Sequence, residues 1–198
     1  MPRARNMHGG FTLVEVIVAL AVMLIVLGSI VQLFVSHMYA RDATQNYMVA
    51  SEHNQRALQK MAEELRGANS SFLNVVFTGS QGQATLPSLV PGGANETVTL
   101  YSAVTFRKIT GMDTANWSQT WSSDITLRLN STTNQVERVQ DGNVEMLAGY
   151  ATRLSFYNAP GKIGIILGNT CGQLGPPRNT GARVENRIEV YPLNSGTN

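Results

Sequence analysis

The residue best placed to do chemistry in this chain is a single carboxylate. Glu15 is the one ionisable side chain in an apolar run from residue 11 to residue 35, and a helix of that length crosses a hydrocarbon core of about 30 Å. A charge in such a place costs about 2.5–3.5 kcal/mol even on the lenient insertion scale, so it demands a function and a partner. The chain offers no cation in reach. Arg41 lies a membrane thickness away, and Arg3, Arg5 and His8 precede Gly9-Gly10 in a basic leader that belongs in water. Cutting the chain between Gly10 and Phe11 would create a partner, an α-amine with an ordinary pKa of about 7.7–8.0, four residues from Glu15.

Glu15 must be positioned by a helix, and the pattern predicts a long one. Beyond residue 39 the apolar positions narrow to a stripe at three- and four-residue steps: Tyr47, Ala50, Asn54, Ala57 or Leu58, Met61 and Leu65. Arg41, Asp42, Glu52, Arg56, Lys60, Glu63, Glu64 and Arg66 flank it; Glu52–Arg56 is an attractive i,i+4 pair and Arg56–Lys60 a repulsive one. Gly67 follows a basic last turn, a common helix stop. No proline occurs between Pro2 and Pro87, so residues 11–66 are expected to form one helix of about 84 Å. Gly28-Ser29 marks either a weak point in it or a place for close helix packing.

The string Gly10-Phe11-Thr12-Leu13-Val14-Glu15-Val16, behind a basic leader and before an unbroken apolar helix, resembles the class III signal of type IV pilin-like proteins. The resemblance implies that a prepilin peptidase cuts after Gly10 on the cytoplasmic face and methylates the amine of Phe11 to N-methylphenylalanine. It implies that Glu15 pairs with the amine of a neighbouring subunit and sets its register during filament assembly. The segment from Gln55 to Arg66 is also similar, more loosely, to W-type minor pilins and J-type minor pseudopilins of type II secretion. The implied partners are other pilin or pseudopilin subunits, the peptidase and the bacterial inner membrane. The subunit would be single-pass with its amino end cytoplasmic before assembly, and part of a periplasmic or extracellular filament after it.

Two plainer accounts explain less. A secretory signal has an apolar region of about 7–15 residues and a small-x-small cleavage site, whereas this run is longer and offers only Met38-Tyr39-Ala40. A single-span anchor needs only length and flanking charge, and leaves Glu15 and the Gly-Phe junction without a purpose.

Past residue 67 the language changes to strands and turns. Residues 68–96 are rich in Gly, Ser, Asn and Pro around Phe72-Leu73 and Val75-Val76-Phe77, with a turn at Pro91-Gly92-Gly93. Val98, Leu100, Val104 and Phe106 alternate with polar neighbours, as do Ile125, Leu127 and Leu129, then Leu154 and Phe156, then Val184, Ile188 and Val190. Asp141-Gly142 between Val136-Glu137-Arg138-Val139 and Val144-Glu145-Met146-Leu147 is a strong hairpin signal. The apolar residues 163–167 suit a strand buried on both faces or an edge covered by the long helix. Such strands predict an antiparallel sheet with one face to bury, and the helical stripe supplies the cover. The expected fold is therefore α+β and pilin-like. Its parts are a leader (1–10), a transmembrane or filament-core half-helix (11–39), an amphipathic half-helix (40–66) and a globular antiparallel β-sheet domain (67–198).

Other chemistries find little support. The chain has 198 residues, a formal charge of +2 and 14% charged residues; beyond residue 67 the charges are scattered without a basic stripe, so nucleic acid is not an indicated partner. His8, His37 and His53 all fall in the leader or the helix. A hydrolytic triad or zinc site in the sheet domain would lack its histidine, so no catalytic residue, metal or cofactor is expected and the chain is not expected to be an enzyme. Asp113, Asn116 and Asp124 fit no compact calcium loop, which needs about six to eight oxygens. Cys171 has no partner cysteine and lies in Gly168-Asn169-Thr170-Cys171-Gly172, expected to be a loop. Trp117 and Trp121, in a polar stretch, are either buried against their own sheet, the default, or an interface with a neighbouring subunit. A pilus-tip binding subunit for adhesion or DNA uptake shares every processing feature, and a membrane-anchored enzyme would keep its amino terminus uncut.

Overall fold

The computed structural model describes residues 12–68, 74–171 and 182–191. One helix, α1 (Leu13–Arg66), precedes ten strands: β1 (Val76–Leu86), β2 (Glu96–Phe106), β3 (Ile109–Asp113), β4 (Ser118–Trp121), β5 (Ile125–Asn130), β6 (Gln135–Gln140), β7 (Asn143–Ala148), β8 (Ala151–Ala159), β9 (Lys162–Cys171) and β10 (Ala182–Val190). The chain divides into two compact units, Met1–Gln45 and Asn46–Asn198. In the first, every described side chain is exposed, Leu24, Ile25 and Phe34 among them. α1 ends after Arg66 by tightening: Ala68 N–H donates to Leu65 O, a three-residue span, as a last helical turn often does.

In the second unit all strand pairs are antiparallel. The main sheet runs β10-β9-β8-β2-β5-β6-β7, with β1 also paired to β2, while β3 and β4 form a separate two-stranded sheet. β2 is where three partners meet: β1 along its length, β8 at Leu100 and Tyr101, and β5 from Ala103 to Phe106. The α+β arrangement of one helix packed on an antiparallel sheet is thus the architecture observed.

The face of α1 against the sheet buries Ala50, Asn54, Ala57, Leu58, Met61, Ala62 and Leu65. Spacing left a choice between Ala57 and Leu58; both are buried. Tyr47, expected to open the stripe, is 49% exposed, so the contact starts one turn later. The facing core is Val104, Phe106, Ile125, Leu127, Val136, Leu154, Phe156, Ile163, Ile165 and Leu167. A second cluster of Val98, Leu100, Tyr157 and Ile166 covers other positions of β2, β8 and β9. Residues 163–167 are therefore interior, because β9 lies between β8 and β10 and is covered on both faces. Gly164 belongs to this arrangement: a Cβ there would lie 1.8 Å from Tyr157 Cζ, so the tyrosine ring lies against the glycine backbone.

Asp141 and Gly142 join β6 to β7 with φ of 51° and 78°, both in the left-handed region that a two-residue type I′ hairpin turn requires. Three expectations need correction. β1 occupies a Gly- and Gln-rich stretch to which no strand was assigned; pairing along β2 holds it, with a bulge between Ser80 and Gly82, so tertiary pairing overrides weak strand propensity. β3 and β4 form a hairpin where only a polar stretch was anticipated. Residues 168–171 extend β9 opposite residues 182–185 rather than forming a loop. Phe72 and Leu73 lie outside the described residues.

Two carboxylates, Glu145 and Glu64, tie the end of α1 to the rest of its unit, and a third, Glu52, is paired within the helix. Arg56 takes Glu52, Lys60 takes Glu145 of β7, and Glu64 takes both Lys108 at 2.6 Å and Arg138 at 3.4 Å. The expected Arg56–Lys60 repulsion is answered by separate partners.

Candidate functional site

The helix start is built by a local sequence pattern, Thr12-Leu13-Val14-Glu15. Thr12 stands at the cap position, and the carbonyl of Thr12 accepts from Val16 N–H at 3.3 Å. The Glu15 carboxylate reaches back: its Oε2 accepts from the Thr12 backbone N–H and the Thr12 hydroxyl, each at 3.0 Å, while Glu15 N–H donates to Thr12 Oγ1 at 3.4 Å. This is a reciprocal capping box. It satisfies amide hydrogens that a helix start leaves without partners, and it places a negative charge at the positive end of the helix dipole. Thr12 was not singled out as a site residue, although Thr-x-x-Glu ahead of an apolar run signals it. Gly10 and Phe11, the expected cleavage and methylation positions, lie outside the described residues.

Below Glu15, the side chains of Val16, Ala19, Leu20 and Met23 line a shallow open depression. The helix has an 18-residue window of mean hydropathy 2.8, long and apolar enough to cross a membrane. A carboxylate at the entry of an otherwise uncharged rod can do one kind of chemistry well, which is to hold a cation presented by another molecule.

Residues 5–31 match the family model of the prokaryotic N-terminal methylation motif. The amino-terminal segment carries a class III signal. No curated protein and no solved structure matches the chain. The matched residues include Gly10, Phe11, Glu15 and the first turns of α1. It supports a type IV pilin-like substrate of prepilin peptidase, a structural subunit rather than an enzyme, anchored in a membrane by its apolar helix before assembly with other pilin subunits.

The remaining candidates are placed as follows. Trp117 sits in the turn between β3 and β4, 80% exposed and with φ of 50°, so default burial does not hold for it. Trp121 is partly buried and pairs across the hairpin with Ile109. Asp113 builds the turn: its carboxylate accepts from Ala115 N–H at 2.9 Å and from the Asn116 side-chain amide at 3.1 Å. Asp124 instead pairs with Arg107, so of the three residues weighed as calcium ligands Asp113 and Asn116 share one turn and Asp124 serves another contact. His37 and His53 are exposed on α1. His8 lies outside the described residues, and Cys171 ends β9.

Among the described residues, a charged cluster joins β2, β8, β9 and β10. Tyr157 donates its hydroxyl hydrogen to Glu189 at 2.9 Å and accepts from Arg187 at 2.7 Å; Lys162 donates to Glu189 at 3.2 Å and to Glu96 at 2.9 Å. Burial opposes ionisation of Glu189, but bonds from Tyr157, Tyr191, Lys162 and Arg187 outweigh it and hold its carboxyl below the usual range. Burial and the neighbouring Glu189 push the Tyr157 phenol well above its ordinary value. Cations and carboxylates are matched within the cluster, as in a structural tie between strands.

Proposed function

We propose that this chain is a minor pilin or minor pseudopilin, a non-enzymatic subunit of a bacterial type IV pilus or type II secretion filament. The observation that carries the proposal is Glu15, alone in an apolar helix and preceded by Gly10-Phe11 and a basic leader within a methylation motif. The positive leader keeps the amino end cytoplasmic, cleavage after Gly10 frees Phe11, and residues 11–39 wait in the inner membrane. Residues 40–66 and the sheet domain face the other side. On assembly the apolar rod is buried among its neighbours, and Glu15 pairs with the methylated amine of an adjacent Phe11. The capping box supports this: it orients the carboxylate at the helix entry. The exposed Trp117, with Trp121, supplies a contact to a neighbouring subunit, since indoles are enriched in binding hot spots.

Two experiments test the proposal. Mass spectrometry of the mature protein should find an amino-terminal methylated Phe11; recovery with Met1 intact would overturn it. Glu15→Val should leave cleavage unchanged and reduce incorporation into filaments by at least about tenfold, since one well-placed charge pair of about 1.4 kcal/mol corresponds to that factor. Normal incorporation of the variant would remove Glu15 from the mechanism.

A further inference from the structure

Among the described residues the main sheet ends in three edges with no further strand beside them, those of β1, β7 and β10. Such edges are templates for another strand, and native chains blunt them with bulges, short strands or charges. β1 is broken by the bulge between Ser80 and Gly82, with Gly79 and Gly82 at φ of 70° and 95°. β7 has six residues, and its pairing with β6 shifts register between Val136 and Glu137. β10 has neither device: its nine residues pair with β9 from Ala182 to Val190 without a shift. What guards it is charge.

That charge is ordered. Positions 183, 185, 187 and 189 read Arg, Glu, Arg, Glu, and Glu185, Arg187 and Glu189 share one face of the strand. Glu185 is held by Arg153 of β8 at 3.3 Å, and Arg187 by Tyr157 and Glu189. These bonds fix the side chains on their own sheet, so little freedom is left to lose when another strand arrives.

A strand that pairs antiparallel with its own copy has a centre, and the centre decides which charges meet. Centred on Glu185 or on Arg187, the pair sets like charges opposite each other, which is destabilising. Centred between two residues, it joins the charged face of one sheet to the helix-covered face of the other. Centred on Asn186, Glu185 faces Arg187 of the copy, Arg187 faces Glu185, and residue 183, an arginine, faces Glu189. Val184 and Ile188 then face each other as an apolar pair. Asn186 is also the midpoint of Ala182–Val190. This register therefore opposes unlike charges over the full length of the strand, and centres nearer either end shorten the overlap.

We propose that β10 docks on β10 of a second copy of this chain, antiparallel and centred on Asn186, so that the two main sheets continue as one. Such a contact is isologous and closes at two copies. The inference rests on β10 and holds whether or not the chain builds a filament.

Disulfide trapping of the full chain in detergent micelles tests it. In a Cys171→Ser background, Asn186→Cys sets a thiol opposite its own equivalent within disulfide reach, and mild oxidation should give covalent dimer at least about tenfold faster than Asn143→Cys on β7. Adding Glu185→Arg to the Asn186→Cys chain places Arg against Arg187 on both sides of the centre and should slow trapping by roughly tenfold at low salt. Near-ultraviolet circular dichroism checks that each variant keeps its folded domain. The unsubstituted chain gives an independent reading: amides of residues 183–189 should lose protection from hydrogen exchange on roughly hundredfold dilution, while those of residues 143–148 should not. Trapping at residue 186 no faster than at residue 143, or exchange in β10 that ignores dilution, would overturn the pairing, including where copies associate only through their apolar rods. Trapping that Glu185→Arg leaves unaltered would overturn the register.

Discussion

Both halves of α1 carry large apolar side chains, and those side chains have opposite fates. In the amino-terminal half, Leu24, Ile25 and Phe34 are 69%, 70% and 67% exposed, whereas in the carboxy-terminal half Met61 and Leu65 are fully buried. The second half finds its cover on the same chain, because the sheet presents Val104, Phe156, Ile163 and Ile165 to a single stripe. The first half is apolar all round, and a helix of that kind must be covered by lipid or by other helices. The difference teaches where function is written: the half that the chain itself satisfies holds the domain together, and the half it leaves uncovered carries the methylation motif and Glu15.

The contrast can be broken most sharply by truncating one side chain in each half. Met61→Ala should destabilise the sheet domain by about 2–5 kcal/mol in denaturant unfolding, the range for emptying a packed core site, while Leu24→Ala should leave that transition within about 0.5 kcal/mol. Equal effects would mean that the two halves are not separately supported. Next in size is Gly164→Ala. The added methyl meets the Tyr157 ring, and the overpacking should cost about 1–3 kcal/mol, seen as a lower melting temperature.

Acid sharpens the comparison from another side. Glu189 and Glu145 ionise below the usual carboxylate range in the folded domain, Glu145 chiefly through its bond to Lys60. The unfolded chain therefore binds more protons than the native one around and below about pH 4.3. The stabilisation is complete above that value and is lost as pH falls through the depressed folded values. The domain's melting temperature should drop as pH is lowered from about 6 to about 3, and Glu189→Gln should flatten that slope. The smallest effect is expected at Trp117→Ala. With the indole 80% exposed, unfolding should shift by no more than about 0.5 kcal/mol, and any loss should appear only in contact with a partner.

Local signals were legible where a few neighbouring residues settle the conformation. Gly67 marked the end of α1, and Asp141-Gly142 gave the hairpin because few residue pairs accept positive φ twice in succession. The alternation in β2, β5 and β8 showed which side chains enter the core. The capping role of Thr12 is equally local, carried by Thr-x-x-Glu ahead of an apolar run.

The sequence by itself thus determined the amino-terminal methylation motif, the long helix and the kind of domain behind it, since a short motif and hydrophobic periods of 3.6 and 2 act over a few residues at a time. Tertiary structure alone decided that Glu64 would gather Lys108 and Arg138, that Tyr157 would lie over Gly164, and that a Gly-rich stretch would become β1. It also separated the two tryptophans, one exposed in a turn and one paired across a hairpin. These outcomes depend on strand order and register between residues far apart in the chain, and short-range propensity carries no record of either.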